Sequence, residues 1–495
     1  LLLLGGILKS IVDQGLEDSD WIQEFCEEPD TLRYALESLD LDEISKATQI
    51  SVTSINDAAD CFGSAERSAI VYSLDNVVQT IQRDCVESLV DMALLTGNVG
   101  KSGAGLYPLR PGMNEQGAWD VGCTPTRLPG RRLLTDDQGK RDIEEYWGCT
   151  LPQERGMGVI ELFEAVQNGD LKSMFIIGDM PHLDPISLSV LSKLDFLVVE
   201  DVFLTGLAEM ANVVLPRQTF TEKVGTFTNL ERRIQKHDPN IGSDDAAGES
   251  EAWILAQLSK RMCVTGFDQL SESDVMEELA VVVPDYRGIS YKRLEEVRTV
   301  VDKSLPIPLL TGTSVGNIAS MEMPKPTQLL YANGHIEGIQ WPCTDESESS
   351  DILYSKGFPV GKATTITPEF KVPENILSSE YPLWYIPGRV LFQRDREITI
   401  EKEGQLNRIV REELVQLNSH DALTLGVVSG DRVLVETGNG RLEGVVHLDD
   451  QIPNGSIAVT FLFGQLAIEL QTSNTPNPMG LMPGLDIKAA KLIQV

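Results

Sequence analysis

Three short runs rich in β-branched and aromatic residues, Phe175–Ile177, Phe196–Val199 and Val213–Leu215, stand in the middle of the chain, each free of charge and each followed by a turn or capping residue. Runs of this kind predict buried strands of a parallel sheet. Between the first two lies LDPISLSVLSKL, with apolar residues at helical spacing, so the unit reads as strand, helix, strand. A right-handed crossover places both strand C-termini on one edge, where open α/β sheets bind ligands. That edge would carry Gly178, Asp179, Asp201, Thr205, Glu222, Gly225 and Asn229.

On either side the pattern changes. Residues 1 to about 66 read as helices: DSDWIQEFCEE, DTLRYALESL and SVTSINDAADCFGSA each pair a Ser, Thr or Asp start signal with helical apolar spacing. SAIVYS, residues 68–73, reads as a buried strand, and the long helix after it should stop at Gly97 and Asn98. ERGMGVIELFEAVQNGDLKSM predicts a helix ending at Asn168–Gly169 that feeds the central strand. Beyond residue 380 the period becomes two in YPLWYIPGRVLF, DRVLVETGNGRLEGVVHL and GSIAVTFLFG, with a hairpin signal at Asn439–Gly440. Those strands predict a small β-barrel. The opening LLLLGGILKSIV lacks Met and signal-peptide architecture and is too short to span a membrane. Broken by Gly5, Gly6 and Lys9, it is best read as an amphipathic helix from the interior of a longer protein.

Composition narrows the function. With 75 acidic against 41 basic side chains in 495 residues, the formal charge of -34 argues against binding a phosphate backbone or an anionic membrane. The seven cysteines form no CxxC pair, so local spacing supplies neither a zinc site nor an iron–sulfur cradle, and the five histidines show no ligand spacing. GNVGKSG is not a Walker A loop, because Leu95 stands where Gly is needed and a helix precedes it. Asp201 is better placed: a carboxylate at a strand end can accept two parallel hydrogen bonds from the N1 and N2 edge of guanine. Gly178 and Gly225 would let backbone approach a pyrophosphate. The plain alternative is that Asp201 caps a helix and the glycines are ordinary turns.

GDMP, EDVFLT, ANVVLP and above all EKVGTFTNLERR resemble the molybdopterin oxidoreductase family, in its formate dehydrogenase-like branch. The resemblance covers most of the chain, with a gap near 300–335. It implies an α/β fold of doubly wound, mostly parallel sheets followed by a double-psi β-barrel. The domains would be residues 1–112, the remainder of an α/β domain with N-terminal helices; 113–375, an α/β domain binding one guanine dinucleotide; and 376–495, the barrel that closes over the second pterin.

LYPLRPGMNEQGAWDVG is similar to the family's LRGQNNVQGAxDMG, whose Arg lies beside the metal and bound formate, and Arg110 is the matching residue. A guanidinium there can orient a small carboxylate by bidentate bonding, although a solvated loop arginine is the plain alternative. Gly112 and Met113 replace the family's Gln and first Asn, whereas Asn114, Gln116, Gly117 and Asp120 match. In the barrel the family's TGR turn is Pro387-Gly388-Arg389, and Thr472 and Pro478 match. The implied cofactor residues are therefore Gly178, Asp179, Asp201, Thr205, Pro216, Glu222, Gly225, Asn229, Gly388, Arg389 and Thr472. No metal ligand is assigned in this chain. The implied cofactors are two molybdopterin guanine dinucleotides with molybdenum or tungsten. An iron–sulfur cluster and the metal-ligating Cys or selenocysteine would lie N-terminal to this sequence. The expected activity is two-electron oxidation of formate or a related small substrate in the cytoplasm, passing electrons to iron–sulfur or flavin subunits, without nucleic acid or membrane insertion. The rival is a scaffold or electron-conduit subunit like the large iron–sulfur subunit of respiratory NADH dehydrogenase.

Overall fold

The computed structural model describes residues 1–74, 79–110, 112–178, 185–239, 248–267, 271–299, 338–346, 352–359, 361–371, 376–387, 414–438, 440–460 and 488–494. Two compact units emerge: one formed by residues 1–106, 158–214 and 356–495, the other by 107–157 and 215–355.

The first unit begins with helices at Leu2–Asp13, Ser19–Phe25, Asp30–Glu37, Leu41–Thr48 and Val52–Gly63. Asp18, Asp40 and Ser51 cap three of them by accepting from amides of the first turn. Asp30 is the first helical residue rather than a cap. Gly5 and Gly6 do not break the first helix. A Cβ at Gly5 would lie 2.6 Å from the Phe370 ring and one at Gly6 3.2 Å from Ile44, so both glycines serve close packing. The strand expected at 68–73 forms over Ala69–Tyr72, but Val71 is 62% exposed, so the run is not buried.

The three central runs form one sheet in the order 173–177, 196–201, 213–216, the first two parallel from Ser173↔Phe196 to Ile177↔Glu200. Helices Val159–Asn168, Pro185–Leu191 and Gly206–Met210 set Phe163, Val190 and Leu207 in one cluster with Ile176, Leu197 and Val199. Phe175 and Ile177 alternate outward and stay exposed, so these strands are not buried on both faces. The C-terminal strands close into a six-stranded barrel in the order 383–387, 456–460, 414–417, 440–448, 432–437, 488–494, around Tyr385, Val415, Val433, Val446 and Ile457. Thr437 pairs with Gly440 as the hairpin signal requires, while Asn439 lies outside the described residues.

In the second unit strands 339–340, 233–237 and 225–228 form an antiparallel sheet. Its core includes Ile143, Ile234, Tyr286, Ile339 and Trp341.

One buried carboxylate ties the first unit together. Asp91, on the helix Gln79–Leu95, accepts the Ile366 amide at 3.1 Å, and no described residue donates to its other, buried oxygen. Burial pushes its carboxyl up to about 7, the Ile366 amide opposing and Glu87 adding. Nearby, burial pushes the Cys26 thiol up to about 11, with Lys362 lowering it and Asp91 raising it. Because the folded chain holds the Asp91 proton more tightly than the unfolded one, the stability from this group is complete below the ordinary carboxyl value and is lost as pH rises through about 7. Asp91→Asn should flatten that slope: calorimetric melting at about pH 5 and about pH 8 should show the variant gaining on the wild type at the higher pH.

Candidate functional site

The sheet edge in the first unit carries three of the predicted residues. Gly178 leaves its strand with φ 90°, and its amide donates to the Glu200 carbonyl at 2.9 Å, which sets it beside Asp201 at the end of the neighbouring strand. Asp201 is 6% exposed; Oδ1 accepts from Val202 at 2.6 Å and Phe203 at 3.4 Å. No described residue donates to its Oδ2. The helix cap is Thr205 rather than Asp201, its hydroxyl oxygen accepting from Ala208 at 3.3 Å.

In the second unit the remaining residues of this region build turns and a hairpin. The Pro216 carbonyl accepts the Glu249 amide at 3.2 Å. Glu222 closes a turn by accepting from the Thr219 amide at 2.7 Å. Gly225 opens strand 225–228 opposite His237, and a Cβ there would meet nothing within 4 Å. Asn229 organises the hairpin turn, Oδ1 accepting from Glu231 at 2.9 Å and Arg233 at 3.0 Å. Lys223 is held by Glu251 at 2.5 and 2.6 Å, and Arg217 reaches the same carboxylate at 3.0 Å. Burial would raise the Glu251 carboxyl, but these two cations outweigh it and hold it below its ordinary value.

Arg110 lies in the same unit as that hairpin. Its Nη1 donates to Glu115 Oε1 at 2.9 Å, and its guanidinium carbon sits 4.5 Å from the Trp119 ring centroid. Glu115 and Trp119 share one face of the short helix Glu115–Asp120, being four residues apart. Two contacts fix that helix. Asn114 Oδ1 accepts the Thr228 amide at 2.8 Å, joining the Arg110 loop to the EKVGTFTNLERR segment. A Cβ at Gly117 would lie 2.2 Å from Asn114 Oδ1, so glycine there leaves room for the bond. At the other end Asp120, with no exposed surface, accepts from Gln116 at 2.9 Å, Arg131 at 3.0 Å and the Tyr286 hydroxyl at 3.1 Å. Burial pushes the Asp120 carboxyl up despite these donors, and burial with the Asp120 charge pushes the Tyr286 phenol up as well. Arg131 bonds Asp285 at 2.9 Å and lies 3.6 Å from the Trp341 ring centroid.

Sequence reasoning singled out Arg110 and the match at Asp120 but missed Glu115, Trp119, Arg131, Asp285, Tyr286 and Trp341. The faint signal was the basic PGRR turn in an acidic chain. Asp179, Gly388, Arg389 and Thr472 lie outside the described residues. Among the described residues no three His, Cys, Asp or Glu side chains group to hold a metal ion, and no helix is long and apolar enough to cross a membrane.

A parallel sheet with a carboxylate and a glycine at its C-terminal edge, together with a closed six-stranded barrel, makes this a mixed α/β protein. The sequence profile of the molybdopterin oxidoreductase family matches residues 10–261, and that of the molydopterin dinucleotide binding domain matches 383–484. The chain belongs to the molybdopterin oxidoreductase family. It is 28% identical over 502 residues to the F420-dependent formate dehydrogenase subunit alpha of Methanocaldococcus jannaschii, covering all of this chain and 68% of that one. It is also 28% identical over 508 residues to the F420-dependent formate dehydrogenase 2 subunit alpha of Methanococcus maripaludis, with the same coverage. The acetylene hydratase of Pelobacter acetylenicus shares the fold, with a TM-score of 0.59 and 16% identity over all of this chain and 70% of that one.

Removing a buried carboxylate that holds a cation costs on the order of 3 kcal/mol, whereas an exposed helical ion pair contributes little. Asp120→Ala should therefore lower the calorimetric melting temperature far more than Arg83→Ala, which loses only the Glu87 partner of a mostly exposed arginine.

Proposed function

We propose that this protein is a formate dehydrogenase-type oxidoreductase that oxidises formate, or a related small substrate, by two electrons. The observation that carries the reading is the Asn114–Thr228 hydrogen bond, which joins Arg110 and the long family-like segment in one unit. Removing two electrons from formate leaves carbon dioxide and a proton, so the protein must hold a small anion and lose a neutral product. Arg110 suits the first task. Stacking on Trp119 fixes the plane of its guanidinium, and Glu115 occupies one corner, leaving Nε and Nη2 without a described acceptor to meet a carboxylate.

The strand edge fits a pterin guanine dinucleotide. Asp201 retains an oxygen that no described residue bonds, available to a guanine N–H edge, and the Thr205 hydroxyl donates to no described residue. The left-handed backbone at Gly178 suits close approach of a phosphate. Glu222, Gly225, Asn229 and Pro216 shape the turns and the hairpin of the EKVGTFTNLERR region in the second unit. By the family resemblance, Gly388, Arg389 and Thr472 would contact the second dinucleotide. Bound molybdenum or tungsten on the two dinucleotides would supply the two-electron acceptor. Iron–sulfur or flavin subunits in the cytoplasm would then take the electrons onward.

Elemental analysis and pterin extraction of the full-length native protein test this reading. Near-stoichiometric molybdenum or tungsten with guanine dinucleotide is the expected result. Iron without either metal or pterin would leave the electron-conduit subunit instead. In the metal-bearing enzyme, Arg110→Ala should lower kcat/KM for formate roughly 10- to 100-fold, the worth of a charge-assisted hydrogen-bonded pair.

A further inference from the structure

Arg110 does not stand as a bare anion receptor. Glu115 places a carboxylate oxygen 2.9 Å from its Nη1, on the same guanidinium whose Nε and Nη2 would meet a small carboxylate substrate. The side chains of Arg110 and Glu115 are 31% and 27% exposed, so the pair is neither locked in the core nor fully solvated. Against the family-like pattern LRGQNNVQGAxDMG, this chain has Glu115 where the pattern has Val and Gly112 where it has Gln. They are also coupled in space. A Cβ at Gly112 would lie 3.3 Å from the Glu115 Cβ and 3.7 Å from its Oε2, so the glycine makes room for the glutamate.

We infer that Glu115 is the specificity-determining residue of the Arg110 site, an internal carboxylate that competes with small monoanions and lowers their affinity. The inference rests on the reading that Arg110 faces the substrate. Glu115 is bound covalently a few residues from Arg110, so its effective concentration is far higher than that of any free anion. An incoming formate must displace it or bind beside a second negative charge. Because a partly exposed ion pair is worth little, displacement is possible, and the glutamate tunes binding rather than abolishing it. A neutral substrate that accepts a hydrogen bond from Arg110 meets no such repulsion, so the site favours it relative to formate.

The test is isothermal titration of sodium formate and sodium nitrate into the full-length, metal-bearing protein, as wild type, Glu115→Gln, Glu115→Val and the double variant Arg110→Gln/Glu115→Gln. Glutamine keeps an acceptor for Arg110 while removing the charge, so the guanidinium stays oriented. The expected result is that Kd for both anions falls roughly 3- to 5-fold in Glu115→Gln and Glu115→Val, as losing a partly exposed charged competitor implies. The gain should vanish in the double variant, and KM for formate should follow Kd with kcat changing less. Anion binding no tighter in both single variants, with circular dichroism unchanged, would overturn the inference, as would a tightening that persists without Arg110. Absence of formate turnover alongside tighter anion binding would sink the formate assignment while leaving the role of Glu115 intact.

Discussion

The carboxylate of Asp120 is the constraint on which the second unit depends. A charge with no exposed surface is costly unless donors surround it, and three do: Gln116 on its own helix, Arg131 from a turn, and Tyr286 from the segment after the helix 272–282. Each donor brings a piece of chain with it. Arg131 takes a left-handed φ of 60°, unfavourable for a residue with a Cβ, and holds it because Asp120, Asp285 and the Trp341 ring all fix its guanidinium. The helix beneath Arg110 has fewer than two turns and would not persist alone. Pinned at both ends, it presents Glu115 and Trp119 in a fixed direction.

The charge balance of the whole chain is repeated at this scale. Acidic side chains outnumber basic ones nearly two to one, and the cations near the family-like motifs are shared with carboxylates: Arg110 with Glu115, Arg131 with Asp120 and Asp285, Lys223 and Arg217 with Glu251. Such cations order loops as well as attract ligands. The fold by itself leaves the reaction open, since one scaffold carries proteins called dehydrogenases and another called a hydratase. The residues that touch the guanidinium therefore say more about this chain than its topology does.

Much of the architecture was legible because it is local. The capped helices, the strand–helix–strand unit and the barrel strands follow from spacing within ten or fifteen residues. The exposure of Phe175 and Ile177 was not, because a run of three apolar residues reads alike whether one face or both are covered. The partners of Arg110 were hidden for a related reason. Glu115 and Trp119 face it only if a helix begins at Glu115, yet the start signal at Asn114 is silent because that side chain bonds Thr228 instead of capping. Arg131 meets Asp285 and Asp120 meets Tyr286 across 154 and 166 residues, distances over which one sequence carries no pairing signal.

The segment that carries Lys362 and Ile366 bonds chain made much earlier, which has a consequence in time. Lys362 donates to the Gln23 carbonyl across 339 residues, and Ile366 reaches Asp91 across 275. A ribosome adding about 5–20 residues per second needs roughly 20–70 s to supply that segment after Gln23 has emerged. Until residue 370 has been made, Gly5 lacks the Phe370 ring that packs against it in the folded unit. The helices of residues 2–63 are thus sealed long after they are made, and through that window the growing chain is exposed to aggregation.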